Sequence, residues 1–209
     1  MTTRTPIIRR AVLRLATGLA VIATVGCTPV FPGRGKAPKL YTLTPKSTFR
    51  KDLPQVDWQL VVEVPFTTES LDTARIALSR SPLLIEYYKD VRWSERMPVM
   101  VQTLLVESFE NTGKIVAVAR QSTDLRADYV LKPDLREFQA EYDGNGPPTV
   151  RVRISAKLVK MPERAIIASH SVERVQRAHG TDVADVAAAF DQALGKVLKS
   201  VVEWALLAP

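Results

Sequence analysis

Val150, Val152, Ile154, Ala156 and Leu158 alternate with Arg151, Arg153, Ser155 and Lys157. Successive side chains of a strand point to opposite faces, so this period of two predicts a strand with one dry and one wet face. A strand of that kind cannot stand alone. It needs neighbours to pair its backbone and a layer to cover its dry face. Gly144–Pro148 (GNGPP) supplies the turn before it, and Tyr129–Tyr142 is the expected partner. The register that sets Tyr142 opposite Val150, Ala140 opposite Val152 and Phe138 opposite Ile154 also sets Glu141 opposite Arg151. Met161–Glu163 then turns the chain into Arg164–Val175. Ile166 is expected opposite Leu158 and Val172 opposite Val152, which makes three consecutive antiparallel strands.

Two helical patterns can cover such a sheet. Val101, Leu104, Leu105, Ser108 and Phe109 recur at spacings of three and four after Pro98, which suits a first helical turn. Asn111-Thr112-Gly113 reads as the C-terminal cap, with Gly113 left-handed. Val183, Val186, Phe190, Leu194, Val197, Val201 and Trp204 form a longer stripe. Asp182 is placed to cap that helix and Asp185 to sit in its first turn. Strands are expected at Leu40–Leu43, Trp58–Val64 and Lys114–Ala119, the last of them buried. A hairpin is expected from Ala74–Leu78 and Leu83–Tyr88 around Ser79–Pro82. The fold class read from these patterns is α/β in an α+β arrangement, a mainly antiparallel sheet packed by two long helices.

The chain has 209 residues, and its first part reads as an address. Arg9, Arg10 and Arg14 precede Leu15–Gly26, an uncharged apolar run. As a helix this run would span roughly 18 Å, short of the ~30 Å hydrocarbon core, which fits a signal peptide better than a permanent span. The only cysteine, Cys27, follows directly. Thr24-Val25-Gly26-Cys27 resembles a bacterial lipobox, in which a small residue precedes a cysteine that receives diacylglycerol. Thr24 departs from the leucine usual there. Arg9-Arg10 also resembles the twin-arginine export pattern. Residues 28–39 (TPVFPGRGKAPK) read as a Pro/Gly tether. The expected organisation is therefore a signal peptide at 1–26, a lipidated N-terminus and tether at 27–39, and one domain at 40–209. Thr28 is not the aspartate that retains many lipoproteins at the inner membrane. An outer-membrane position facing the periplasm is expected.

Composition narrows the chemistry. Removing Arg4, Arg9, Arg10 and Arg14 from the formal +7 leaves +3, too small a charge to suggest nucleic acid binding. Two histidines and one cysteine supply no HExxH or CxxC pattern, so no metal or other cofactor is expected. Gly33-Arg34-Gly35-Lys36 lacks phosphate-loop spacing and precedes Pro38. His170 is expected in the core with a satisfied hydrogen bond, and His179 at the surface. No nucleophile elbow is present, and catalysis is not expected.

The segment Leu71–Arg120 contains Arg75-Ile76-Ala77, Tyr87-Tyr88, Arg92-Trp93 and a helix ending in Asn111-Thr112-Gly113, after a strand that ends in Val64-Pro65. With Leu40-Tyr41-Thr42-Leu43 before it and Tyr142-Asp143-Gly144 after it, this order resembles the ABC-type transport auxiliary lipoprotein family, the PqiC-like lipoproteins of Gram-negative bacteria. The resemblance implies two helices packed on a sheet. It also implies an MCE-domain protein, a permease and an ATPase as partners in lipid movement between membranes, with this chain as docking or receiving subunit. It brings no catalytic residue, and only Cys27 carries over. Lipid contact is thereby expected through the anchor, and phospholipid is a candidate ligand of the domain. Homo-oligomerisation is left open. Tyr87, Tyr88, Arg92 and Trp93 are the candidate partner-binding residues, since amphipathic aromatics and arginine are enriched at interfaces. The competing expectations are that Trp93 and one tyrosine fill the core, and that the chain is a structural envelope lipoprotein without a transport role.

Overall fold

The computed structural model describes residues 37–120 and 126–209, and residues 37–209 form one compact unit. The element order is β1 (Lys39–Tyr41), β2 (Val56–Val62), β3 (Arg75–Ser81), β4 (Leu84–Trp93), α1 (Met97–Glu110), β5 (Ile115–Arg120), β6 (Tyr129–Glu141), β7 (Thr149–Lys160), β8 (Ala165–Arg177) and α2 (Val183–Leu207). Each expected element is present, with ends displaced by a few residues.

β6 is the strand on which the others are arranged. Along one edge it pairs β7 over its whole length, and β7 pairs β8, all antiparallel. Its other edge is shared. β2 pairs residues 129–131 and β3 pairs Ala140 and Glu141, both in parallel. Between them Phe66 bridges to Asp134, giving its N–H to Pro133 O and accepting from Leu135 N. Pro133 is tolerated inside β6 for this reason. Its carbonyl, and with it the nitrogen that lacks a proton, faces this interrupted edge and not the continuous β7 ladder. β4 pairs β3 antiparallel, and β1 and β5 lie at the two ends of this path, parallel to β4 and β2. The sheet is therefore mixed. The antiparallel expectation holds for β3–β4, β6–β7 and β7–β8, whereas β1–β4, β2–β5, β2–β6 and β3–β6 are parallel, pairings between strands distant in the chain that local alternation does not reveal.

The dry faces of β6 and β7 are as the periodicity predicted, but the register is not. Ile166, expected on the dry face opposite Leu158, lies opposite Val159 on the other face, because a bulge between Leu158 and Val159 reverses the alternation at the start of β8. Ala140 lies opposite Val150 and Phe138 opposite Val152, two residues from the expected pairing. A bulge between Leu135 and Glu137 then brings Leu135 opposite Ile154. On the other side Val172 faces Ile154 and Ala168 faces Leu158, again displaced by two. A slip of two keeps every side chain on its face, so hydrophobic alternation cannot distinguish the two registers. Turn length decides between them. Glu141 is opposite Thr149, yet it still reaches Arg151 diagonally, accepting from Nε at 2.9 Å and Nη2 at 3.0 Å. Glu173 of β8 accepts from the same guanidinium, so Arg151 ties three strands together on the wet face.

Both helices lie over one face. α1 packs on β2 and β5, α2 packs on β7 and β8, and the helices meet each other. The apolar stripes predicted for both point inward: Val101, Leu105, Phe109, Val186, Phe190 and Leu194 are fully buried. Met97-Pro98 starts α1, and Gly113, at φ +60°, follows its end. Asp182 occupies the N-cap position of α2 without a side-chain capping bond, and Asp185 stands in the first turn as expected. β5 is half-buried, with Val116 63 % exposed, because it is an edge strand paired only to β2; the expectation of a buried strand is corrected. At the centre Phe190 of α2 stacks on Phe138 of β6 at 4.7 Å. Trp93 meets both edge-on, at 5.2 and 5.9 Å.

Candidate functional surfaces

Trp93 is 1 % exposed and belongs to this aromatic cluster, so its ring is core and not surface. Tyr87 and Tyr88 are half-buried and Arg92 is exposed. The two tyrosines brace the base of the β3–β4 hairpin. Tyr87 donates its hydroxyl to Ser70 O at 3.0 Å while the Arg75 guanidinium lies 3.7 Å over its ring. Tyr88 and Tyr142 share a hydroxyl–hydroxyl bond of 2.8 Å, and Arg80 sits 5.3 Å over the Tyr142 ring. Burial, then the bond to Tyr142, pushes the Tyr88 phenol well above its ordinary range, so it is a neutral hydrogen-bonding group and not an acid. Asp90 bends β4 just beyond the tyrosines with φ +56°, a left-handed conformation that aspartate tolerates better than most residues. Arg92 comes after this bend, opposite Leu40 of β1 and Arg75 of β3. The four residues are thus neighbours along β4 but divided in role.

Of a second surface the sequence singles out only the wet-face bases of β7, Arg151, Arg153 and Lys157, which could meet lipid headgroups or form a merely solvated strand face. The sheet face opposite the helices carries a cavity of about 450 Å³ lined by Val61, Val130, Val159, Met161, Arg164 and Ile166. Beside it a cavity of about 300 Å³ is lined by Phe66, Asp134 and the cations Lys132, Arg136 and Lys157. The ion pair between Lys132 Nζ and Glu63 Oε1, 2.6 Å, borders both. Arg136 Nε pairs in turn with Asp134 Oδ2 at 3.0 Å, so the groove has one largely apolar end and one polar end of mixed charge, to which Lys157 adds a further base. Phe66 at 76 % and Ile166 at 58 % exposure are the sequence signal, apolar residues outside the helix-covered stripe. They are informative only once it is known which face lacks a helix. Towards β8, Arg151 and Glu141 occupy this face. Burial opposes ionisation of Glu141, but hydrogen bonds from Arg151 and Gln139 outweigh it and hold the carboxyl below its usual range.

His170 lies on the α2 side, paired with Ala156. Its Nε2 is 3.0 Å from Ser200 Oγ and its ring stacks on Trp204 at 5.3 Å, a satisfied structural histidine. Burial, helped by nearby Arg174, lowers its pKa below 6.5. A base with a lower pKa folded than unfolded binds fewer protons folded, so stability falls as pH drops below 6.5. Urea titrations should show a lower midpoint at about pH 5 than at about pH 7, and His170→Gln should flatten that difference. An unchanged difference would assign it to other groups. His179 is exposed. Among the described residues no three of His, Cys, Asp and Glu converge to hold a metal ion, and no helix is long and apolar enough to cross a membrane. Cys27 lies outside the described residues.

The class defined here is an α+β domain with one helix-covered and one open sheet face. The chain belongs to the family of ABC-type transport auxiliary lipoprotein components, which matches residues 41–202. It is similar to protein XCC0632 of Xanthomonas campestris, a DUF330 structure, at 34 % identity and a TM-score of 0.77. That likeness covers 81 % of this chain and 95 % of that one. An uncharacterized protein at 13 % identity shares the fold, with a TM-score of 0.65 over 81 % of this chain and 99 % of its own. Uncharacterized protein bll6063 of Bradyrhizobium diazoefficiens is 33 % identical over 58 % of this chain, and this match spans only 32 % of that relative's length.

Proposed function

We propose that this chain is a non-enzymatic lipoprotein subunit of an MCE-type ABC transport system that moves phospholipid across the bacterial envelope. Residues 1–26 export it, acylated Cys27 anchors it, and residues 28–39 tether the domain at the periplasmic side, on the outer membrane in preference to the inner. The domain docks or receives the MCE-domain protein, while permease and ATPase subunits do the work of transport. The observation that carries this reading is family membership over residues 41–202. The open sheet face supports it, because a groove with an apolar end and a polar end that carries Lys157 suits a phospholipid's chain and headgroup together. Arg92 and the exposed edges of Tyr87 and Tyr88 are the proposed protein contact.

Crosslinking in intact membranes, with photoreactive residues at Arg92 and Ile166, tests this. Recovery of an MCE-domain protein is the expected result. Recovery of none would leave a structural envelope lipoprotein as the better description.

A further inference from the structure

The tip of the β3–β4 hairpin is the most exposed apolar feature of the described residues. Leu83 is 98 % exposed, Leu84 51 % and Ile85 38 %, directly after Pro82. Burying such residues against nothing has no folding benefit, and a solvent-facing hairpin turn ordinarily carries polar residues. The base of the same hairpin is held by Tyr87, Tyr88, Tyr142 and the two arginines stacked on their rings. The tip is therefore held out by a braced stem.

Three observations say what it meets. First, β1 runs parallel to β4, with Lys39 beside Val91, so the N-terminal end of β1 is on the side of β4 from which the hairpin projects. Second, Cys27 is 12 residues before Lys39. At about 3.3 Å per residue its sulfur stays within roughly 40 Å of that strand. Leu83 lies eight residues from Val91, at most about 26 Å along the strand. An anchored N-terminus and the tip can thus reach one surface. Third, the charge around them is basic. No acid occurs between Thr28 and Lys51, which include Arg34, Lys36 and Lys39. The hairpin carries Arg75, Arg80, Lys89 and Arg92 against Glu86 and Asp90.

We infer that Leu83, Leu84 and Ile85 insert into the interface of the bilayer that holds the lipid anchor, beside anionic phospholipid headgroups. The tip is then a second membrane contact. It gives the domain a second point of attachment and so an orientation on the bilayer, and a lipid anchor combined with a protein patch gives stable attachment. The inference rests on the proposed acylation of Cys27 for the anchor, and it does not depend on the identity of the transport partner.

The test uses the lipidated chain in vesicles of mixed zwitterionic and anionic phospholipid, after flotation has established that it is membrane-borne. Acylated Cys27 has no free thiol, so Leu83→Cys can be labelled alone with an environment-sensitive fluorophore. Glu110→Cys is the control: it is the exposed last residue of α1, just before β5 begins at the end of the sheet opposite the tip, and it lines neither cavity. The expected result is a blue-shifted emission at Leu83, quenched several-fold more by nitroxide lipids than at Glu110. Equal quenching at both positions, or none at Leu83, overturns the inference. So does a shift that grows with protein density and escapes lipid quenching, which would assign the tip to a second copy. If flotation fails, the anchor reading fails by itself. The Cys27→Ser chain with Leu83→Cys is then scored against added vesicles, where an unshifted emission overturns the tip contact.

Discussion

Cys27→Ser is expected to release the chain from the membrane fraction into the soluble fraction while the domain stays folded, if Cys27 carries the proposed lipid. The size of the effect follows from chain arithmetic. One acyl chain gives only marginal, reversible binding, with an association constant of about 10⁴ M⁻¹, and each buried methylene adds ~0.8 kcal/mol, so a diacylglyceryl group with two chains gives stable anchoring. Removing it leaves the hairpin tip and a modest basic charge, a contact that high salt should weaken further. The domain has no need of Cys27 for its fold, since residues 37–209 form a compact unit. Fractionation with a salt wash checks the release, and circular dichroism of the soluble chain checks the fold. A serine variant that sediments with membranes as before, salt wash included, would mean that the attachment lies elsewhere in the chain.

Which parts of the molecule were legible beforehand follows from what each signal measures. The period of two in β7 and the period of about 3.6 in α1 and α2 report which face is dry, and those faces are right: Val150, Val152, Ile154, Phe190 and Val197 are all fully buried. Neither period reports an absolute register, so the strand pairs β6–β7 and β7–β8 came out two residues displaced. The bulge at Arg136 and the left-handed Asp90 are backbone events with no hydrophobic signature. The parallel pairing of β2 and β3 to one edge of β6 continues between them at Phe66, whose partner Asp134 is 68 residues away in sequence, a distance local patterns do not span. The open groove was illegible for a related reason. Lys157 reads as well for a solvated wet-face charge as for a ligand contact until the structure shows that no helix covers that face. Trp93 illustrates the converse. Aromatic composition marks it equally well for an interface and a core, and only its contacts with Phe138 and Phe190 decide.

That decision has a measurable consequence, because the aromatic cluster joins three elements distant in sequence. Phe190→Ala removes the ring through which α2 contacts both the sheet and the end of β4. The ring is fully buried. Truncating a buried phenylalanine costs about 3–5 kcal/mol in lost transfer energy and residual cavity. Set against a typical total of about 5–15 kcal/mol, the variant is at the edge of stability. For a domain of this size about 1 kcal/mol moves the midpoint by roughly 2–4 °C, so the expected fall in Tm is on the order of 6–20 °C. Phe190→Leu keeps most of the volume and should cost clearly less. Leu83→Ala, at the exposed tip, should leave stability within about 0.5 kcal/mol. Urea or thermal melts of the three variants separate core from surface without any partner present. The comparison also governs how interface mutants are read. A crosslink lost in Trp93→Ala would report unfolding, since Trp93 shares the Phe190 cluster, whereas a crosslink lost in Arg92→Glu with an unchanged melt would report a contact. Phe190→Ala melting within a degree or two of the unsubstituted chain would mean that α2 does not need this cluster to hold the sheet.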